Sequence, residues 1–163
     1  MRVFFCVLLL SCGALPACAA QPSQNAASQP AQLKDFPRSQ LSIQRRDGRD
    51  TFQVWLARTP DQQQQGLMWI RQLPADSGML FLLDTPRPMN MWMKNTYVSL
   101  DMLFTDAKGR ITHIVHRTTP LSEAIISSGG EVSAVLEIAA GEARRRGIAE
   151  GDRVIHSELG GVR

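Results

Sequence analysis

Thiols are scarce and unevenly placed. The 163-residue chain has three cysteines (Cys6, Cys12 and Cys18), all near its start. If a leader is cut away after Ala20, none is left for a disulfide, a cysteine-ligated zinc or a cysteine nucleophile. Long apolar runs are lacking too. Beyond residue 33 the longest covers residues 79–83, far short of a membrane-spanning helix. Net charge is small: 18 Lys and Arg against 15 Asp and Glu give +3, which argues against a nucleic-acid partner. The 44% apolar share still suffices for one packed core. It excludes a disordered polyampholyte, a collagen-like chain and a disulfide-dense mini-protein.

Arg2 precedes an apolar run at residues 3–10, and small residues follow at 14–20. This order predicts a secretory signal over residues 1–20, because Ser11, Cys12, Gly13 and Pro16 interrupt the run before it could cross a bilayer. Leu15-Pro16-Ala17-Cys18 resembles the processing box of bacterial lipoproteins, which implies lipidation and a membrane tether at Cys18. Both routes stay open, and both predict an exported, periplasmic protein, soluble or lipid-anchored. Residues 21–36 are predicted to be a disordered linker. Their QPSQNAASQPAQ stretch has no large apolar side chain to offset the entropy of ordering. Residues 37–163 then form a single β-rich domain.

Within that domain the apolar period is mostly two. Leu41 and Ile43 alternate with polar residues, Asp47-Gly48 suits a two-residue hairpin turn, and residues 52–56 resume the alternation. Leu100, Met102 and Phe104 should face one way and Asp101, Leu103 and Thr105 the other. Residues 106–109 make a turn, and 111–117 return. Further strands are predicted at 78–83, 89–93, 132–138 and 154–159. About eight strands with closely spaced turns predict a mainly β fold, a β-sandwich or a partly closed barrel. Helix is limited to two short pieces. Thr59-Pro60-Asp61 is a start signal, with Leu67, Met68 and Ile70 as its expected inward stripe. Residues 142–146 form the second, ended by Gly147.

The segments GLMWIRQLPADSGMLFLL, MWMKNTYVSLDMLF, VLEIAAG and GIAEGDRV together resemble the domain-of-unknown-function 192 family of bacteria and archaea. The resemblance spans roughly Leu41 to Leu159. It implies a jelly-roll-like β-sandwich and brings no established activity.

Candidate functional residues gather in Trp92-Met93-Lys94-Asn95-Thr96 and Asp101. Asp101 sits inside an apolar strand, so an inward carboxylate there needs a partner. Lys94 is the first candidate. On one reading the two form a coupled pair at a pocket mouth beside the Trp92 platform. On the other, Asp101 satisfies loop amides near Asn95 and Thr96, and Lys94 is solvated. Glu137 could join Asp101 as an acid pair, although a surface-facing Glu137 is the plainer expectation. His113 and His116 are three apart in a strand and point to opposite faces, so no metal spacing is present. There is no Gly-x-Ser-x-Gly elbow. Arg144-Arg145-Arg146 suits a helix C-terminus.

Apart from Met1, every methionine (68, 79, 89, 91, 93 and 102) lies in one stretch. Core filling is the plain reading and thioether capture of Cu(I) the sharper one, though the strict repeats of copper carriers are missing. The sequence therefore predicts no cofactor and no metal. It predicts a non-catalytic envelope module that takes a small ligand or protein partner at Trp92, Lys94, Asn95, Asp101 and Glu137. The alternative is a small hydrolase or lyase using Asp101 and Glu137.

Overall fold

The structure, a computed structural model, describes residues 31–159. The predicted signal, Cys18 and the predicted linker up to residue 30 lie outside the described residues. After a 3₁₀ turn at Ala31–Leu33 come β1 (Arg38–Gln44), β2 (Arg49–Ala57), α1 (Pro60–Gln65), β3 (Ser77–Met91), β4 (Leu100–Thr105) and β5 (Ile111–Val115). Then follow β6 (Ile126–Ala139), α2 (Glu142–Arg146) and β7 (Arg153–Ile155). The strands form one sheet in the order β5-β4-β6-β3-β2-β1-β7. All its pairings are antiparallel except β2 with β3, whose parallel register needs a crossover. That crossover carries α1 and places it on the sheet's outer face.

Seven strands stand where about eight are expected. Residues 78–83 and 89–93 belong largely to one strand, β3, which bends where its register against β6 shifts between Leu82 and Arg87 and again between Pro88 and Asn90. Pro86 and Pro88 lack the N–H that a regular ladder uses, so the sequence pattern breaks there while the strand continues.

The two edge strands meet. An isolated bridge pairs Arg110 with Arg153, the Ile111 N–H donates to the Asp152 carbonyl, and the Val154 N–H donates to that of Gly109. The sheet is thereby nearly closed into a barrel. Closure requires glycine at 109. Its φ is 73°, and a Cβ there would overlap the Val154 carbonyl oxygen.

Alternation along the strands builds two apolar clusters, one on each face. Leu41, Phe52, Leu80, Leu103, Ile111, Leu136 and Val154, one from each strand, belong to the barrel interior, which Ala143 of α2 joins. The outer cluster holds Trp55, Met79, Phe81, Met102, Phe104 and Val135, covered by Leu67, Ile70 and Met93 from the connections and by Met91 at the end of β3. Leu33 and Phe36 are buried in it as well, so the folded body starts before residue 37.

Candidate functional site

The floor of the site is Glu137. It lies on central β6, with Met79 of β3 opposite it on one side and Met102 of β4 on the other. All three share the outer face. Because the connections cover that face, Glu137 is 4% exposed and not surface-facing as the plainer sequence reading expects. No described residue donates a hydrogen bond to its carboxyl or pairs with it as a cation. Desolvation alone pushes its pKa up to about 8. A carboxyl in that state is mostly neutral at pH 7 and can donate a hydrogen bond.

One wall is α1 and the turn after it. Thr59 caps the helix and accepts from the Gln62 N–H, while the Gln62 side chain reaches back to the cap. Gly66, with φ 49°, ends the helix at Gln65, one turn earlier than the 67–70 stripe suggests. Leu67 and Ile70 are still buried, but in a turn. Met68 lines the cavity between them, and Trp69 is turned outward with φ 69°. Gln63 donates to the Leu82 carbonyl of β3 (2.7 Å) and Gln65 to that of Gln32 in the 3₁₀ turn (2.6 Å), which ties the helix to the sheet and to that turn.

The opposite wall is the end of β3 and the turn after it. Met91 and Met93 point inward, and Trp92 is 43% exposed. The turn is held from both sides: the Met93 N–H donates to the Ser122 carbonyl, and the Trp69 N–H donates to that of Asn95. Lys94 stands at the mouth, its Nζ 5.3 Å from the Trp92 ring centre and 3.8 Å from a Glu123 carboxylate oxygen. Between the walls lies a cavity of about 220 Å³, lined among others by Gln64, Met68, Met89, Met91, Lys94 and Glu137. A shallower hollow beside it is lined by Trp92, Lys94 and Asn95. The structure therefore brings Trp92, Lys94, Asn95 and Glu137 to one place.

Asp101 is elsewhere. It is fully buried, as its strand position requires, but its partners are neither Lys94 nor the amides at 95 and 96. Its Oδ1 accepts from the Arg117 N–H (2.9 Å), and its Oδ2 accepts from those of Gly141 (2.9 Å) and Ala143 (3.0 Å). The last two are free donors at the start of α2, whose own N-cap is a glycine. Asp101 supplies the missing cap from β4, the strand next to β6. His116 Nδ1 approaches to 3.9 Å. The carboxylate is thus a fastener for the barrel end, and the Lys94–Asp101 pair is not formed.

The histidines do not converge. His113 lies 3.4 Å from Glu150, and His156 lies 2.9 Å from the Ser39 hydroxyl. Among the described residues no three His, Cys, Asp or Glu side chains gather around one point. Arg145 and Arg146 both hold Glu142, and Arg146 also reaches Asp50 (3.6 Å).

Sequence reasoning misses Met68, Met89 and Gln64 as cavity walls. The crowding of methionines is the signal that could have found two of them.

Residues 42–156 match the model of the DUF192 family, described as an uncharacterised ACR. The chain belongs to that family. A solved chain from Sinorhizobium meliloti 1021, provisionally described as a transcription regulator, is 42% identical. The match covers 76% of this chain and 97% of that one, with a TM-score of 0.75. A protein of unknown function from Novosphingobium aromaticivorans DSM 12444 is 34% identical over 88% and 99% of the two chains, also at 0.75. No curated protein matches.

Proposed function

We propose that the protein is a non-catalytic binding module of the cell envelope, which takes a small ligand into the crevice between α1 and residues 89–96. One observation carries the reading: Glu137 is buried, faces a cavity and has no partner. A fold tolerates so costly a group where an incoming molecule completes it. Trp92, Lys94 and Asn95 form the rim. The envelope assignment rests on the Arg2-led apolar leader and the lipoprotein-like box at Cys18.

The alternative is a hydrolase or lyase, favoured by the raised pKa of Glu137, which suits a general acid. It lacks its second carboxylate, since Asp101 is committed to three backbone amides. Nor is the regulator description of the S. meliloti chain carried over. The arginine run, the densest basic segment here, is largely neutralised by Glu142 and Asp50.

The test is a melting screen of wild type and Glu137→Gln, with chelator present, against panels of sugars, amino acids and nucleosides. A ligand that binds the folded state raises its melting point. The reading expects a stabilising compound whose effect is lost in the variant. Turnover of generic nitrophenyl esters or glycosides, abolished by the same substitution, would replace it with the enzyme.

A further inference from the structure

We propose that the Glu137 crevice is a site for a soft monovalent cation, of the Cu(I) and Ag(I) class, held by the thioethers of Met68, Met89 and Met91 and neutralised by the Glu137 carboxylate. This rests on the pocket reading above and names its ligand class.

Three features of the crevice select that class. The first is charge. A buried carboxylate is stable only if it is protonated or opposed by a positive charge, and Glu137 has no cation beside it. Lys94, which also lines the cavity, is directed to Glu123 and the Trp92 face at the mouth, with its side chain 42% exposed to screening water. A monovalent ion next to Glu137 leaves the site neutral, whereas a divalent ion would leave an uncompensated charge among apolar side chains.

The second feature is the donor set. Met68, Met89 and Met91 line the same cavity as Glu137, and Met79 and Met102 stand opposite it in the ladder beneath. Thioether sulfur is a soft, uncharged donor that suits Cu(I) and Ag(I). The oxygens that line the cavity belong to one carboxylate and to neutral Gln, Asn and Thr side chains, a set with little charge for calcium or magnesium. Met68 and Met89 are also not sealed core. Their sulfurs accept hydrogen bonds from the Asn95 amide (3.9 Å) and the Arg87 guanidinium (3.6 Å), which the ion would displace on binding.

The third feature is access. The cavity of about 220 Å³ adjoins a hollow of about 410 Å³ with which it shares Gln64, Met68, Trp92 and Lys94, so an ion can reach Glu137 from solvent. A bound ion pairs with the Glu137 carboxylate, which is 4% exposed and lines the cavity. The metal keeps its oxidation state.

Ag(I) is the probe, because it needs no reductant. The full chain is used with Cys6→Ser, Cys12→Ser and Cys18→Ser, so that thiols do not compete. Calorimetric titration with silver nitrate in chloride-free buffer should show one bound ion. Glu137→Gln and Met91→Leu, both volume-conserving, should keep the circular dichroism spectrum and weaken binding ~10-fold or more. The ε-methyl NMR signals of Met68, Met89 and Met91 should shift, and that of Met93, sealed in the core, should not. No binding, or binding that all these variants retain, overturns the proposal. If silver fails while the screen yields a Glu137-dependent ligand, the metal assignment alone falls. If both fail, the pocket reading falls with it.

Discussion

Asp101 and Glu137 stand on adjacent rungs of the β4–β6 ladder and point to opposite faces of the sheet. Asp101 is paired with Ile138, a residue of the barrel interior, and Met102 is paired with Glu137 on the outer face. Two buried acids thus lie one residue apart in register and serve different ends. Asp101 is saturated by backbone amides, whereas Glu137 is left for something that enters from outside.

Asp101→Ala should therefore damage the fold and not the crevice. It strands three N–H donors, each worth roughly 1–3 kcal/mol when buried unpaired, and it uncaps α2. Urea unfolding should show a loss of at least ~2 kcal/mol. A gentler variant, Asp101→Asn, keeps one accepting oxygen and should lose less than the alanine while leaving silver affinity unchanged. Full stability of the alanine variant would contradict the fastener role.

Glu137 should make stability depend on pH in an unusual direction. Its carboxyl titrates near 4.5 when unfolded and near 8 when folded. Below the lower value both states are protonated and the group costs nothing. Between the two, the unfolded chain sheds its proton first, so stability falls as pH rises, by at most about 1.4 kcal/mol per unit. Above the folded value the penalty is complete and constant. Glu137→Gln cannot ionise, so its stability relative to wild type should rise through this window. Parallel curves for the two proteins would contradict the assignment.

The outer face explains why this residue is hard to read from sequence. Alternation along 100–105 assigns Asp101 and Met102 to their faces correctly, and the Thr59-Pro60 and Gly147 signals mark both helices. What alternation does not say is what covers a face. Glu137 reads as solvent-facing until α1 and residues 66–76, brought back by the parallel β2–β3 crossover, are laid over it. The Asp101 partners are equally remote in the chain, at 117, 141 and 143, so the nearby Lys94 draws the inference wrongly. Closure through Arg110 and Arg153, more than 40 residues apart in the chain, joins the two edge strands and has no local signature.

Trp69 offers a third check. Its φ of 69° is costly for a bulky L-residue, by about 1–2 kcal/mol, and its side chain is 48% exposed. The indole makes one ring contact, with Tyr97 at 6.1 Å between centroids. Trp69→Asn should fold with equal or greater stability in chemical denaturation, since asparagine tolerates that backbone. A loss above about 2 kcal/mol would show instead that the indole is a structural support.

The most direct measurement is the ionisation of Glu137 itself. Following its side-chain carboxyl carbon by ¹³C NMR in the metal-free protein from acid to alkaline pH should give a midpoint near 8. A midpoint at the ordinary 4.5 would mean that the carboxylate already has water or a partner, and the unfilled site would not exist.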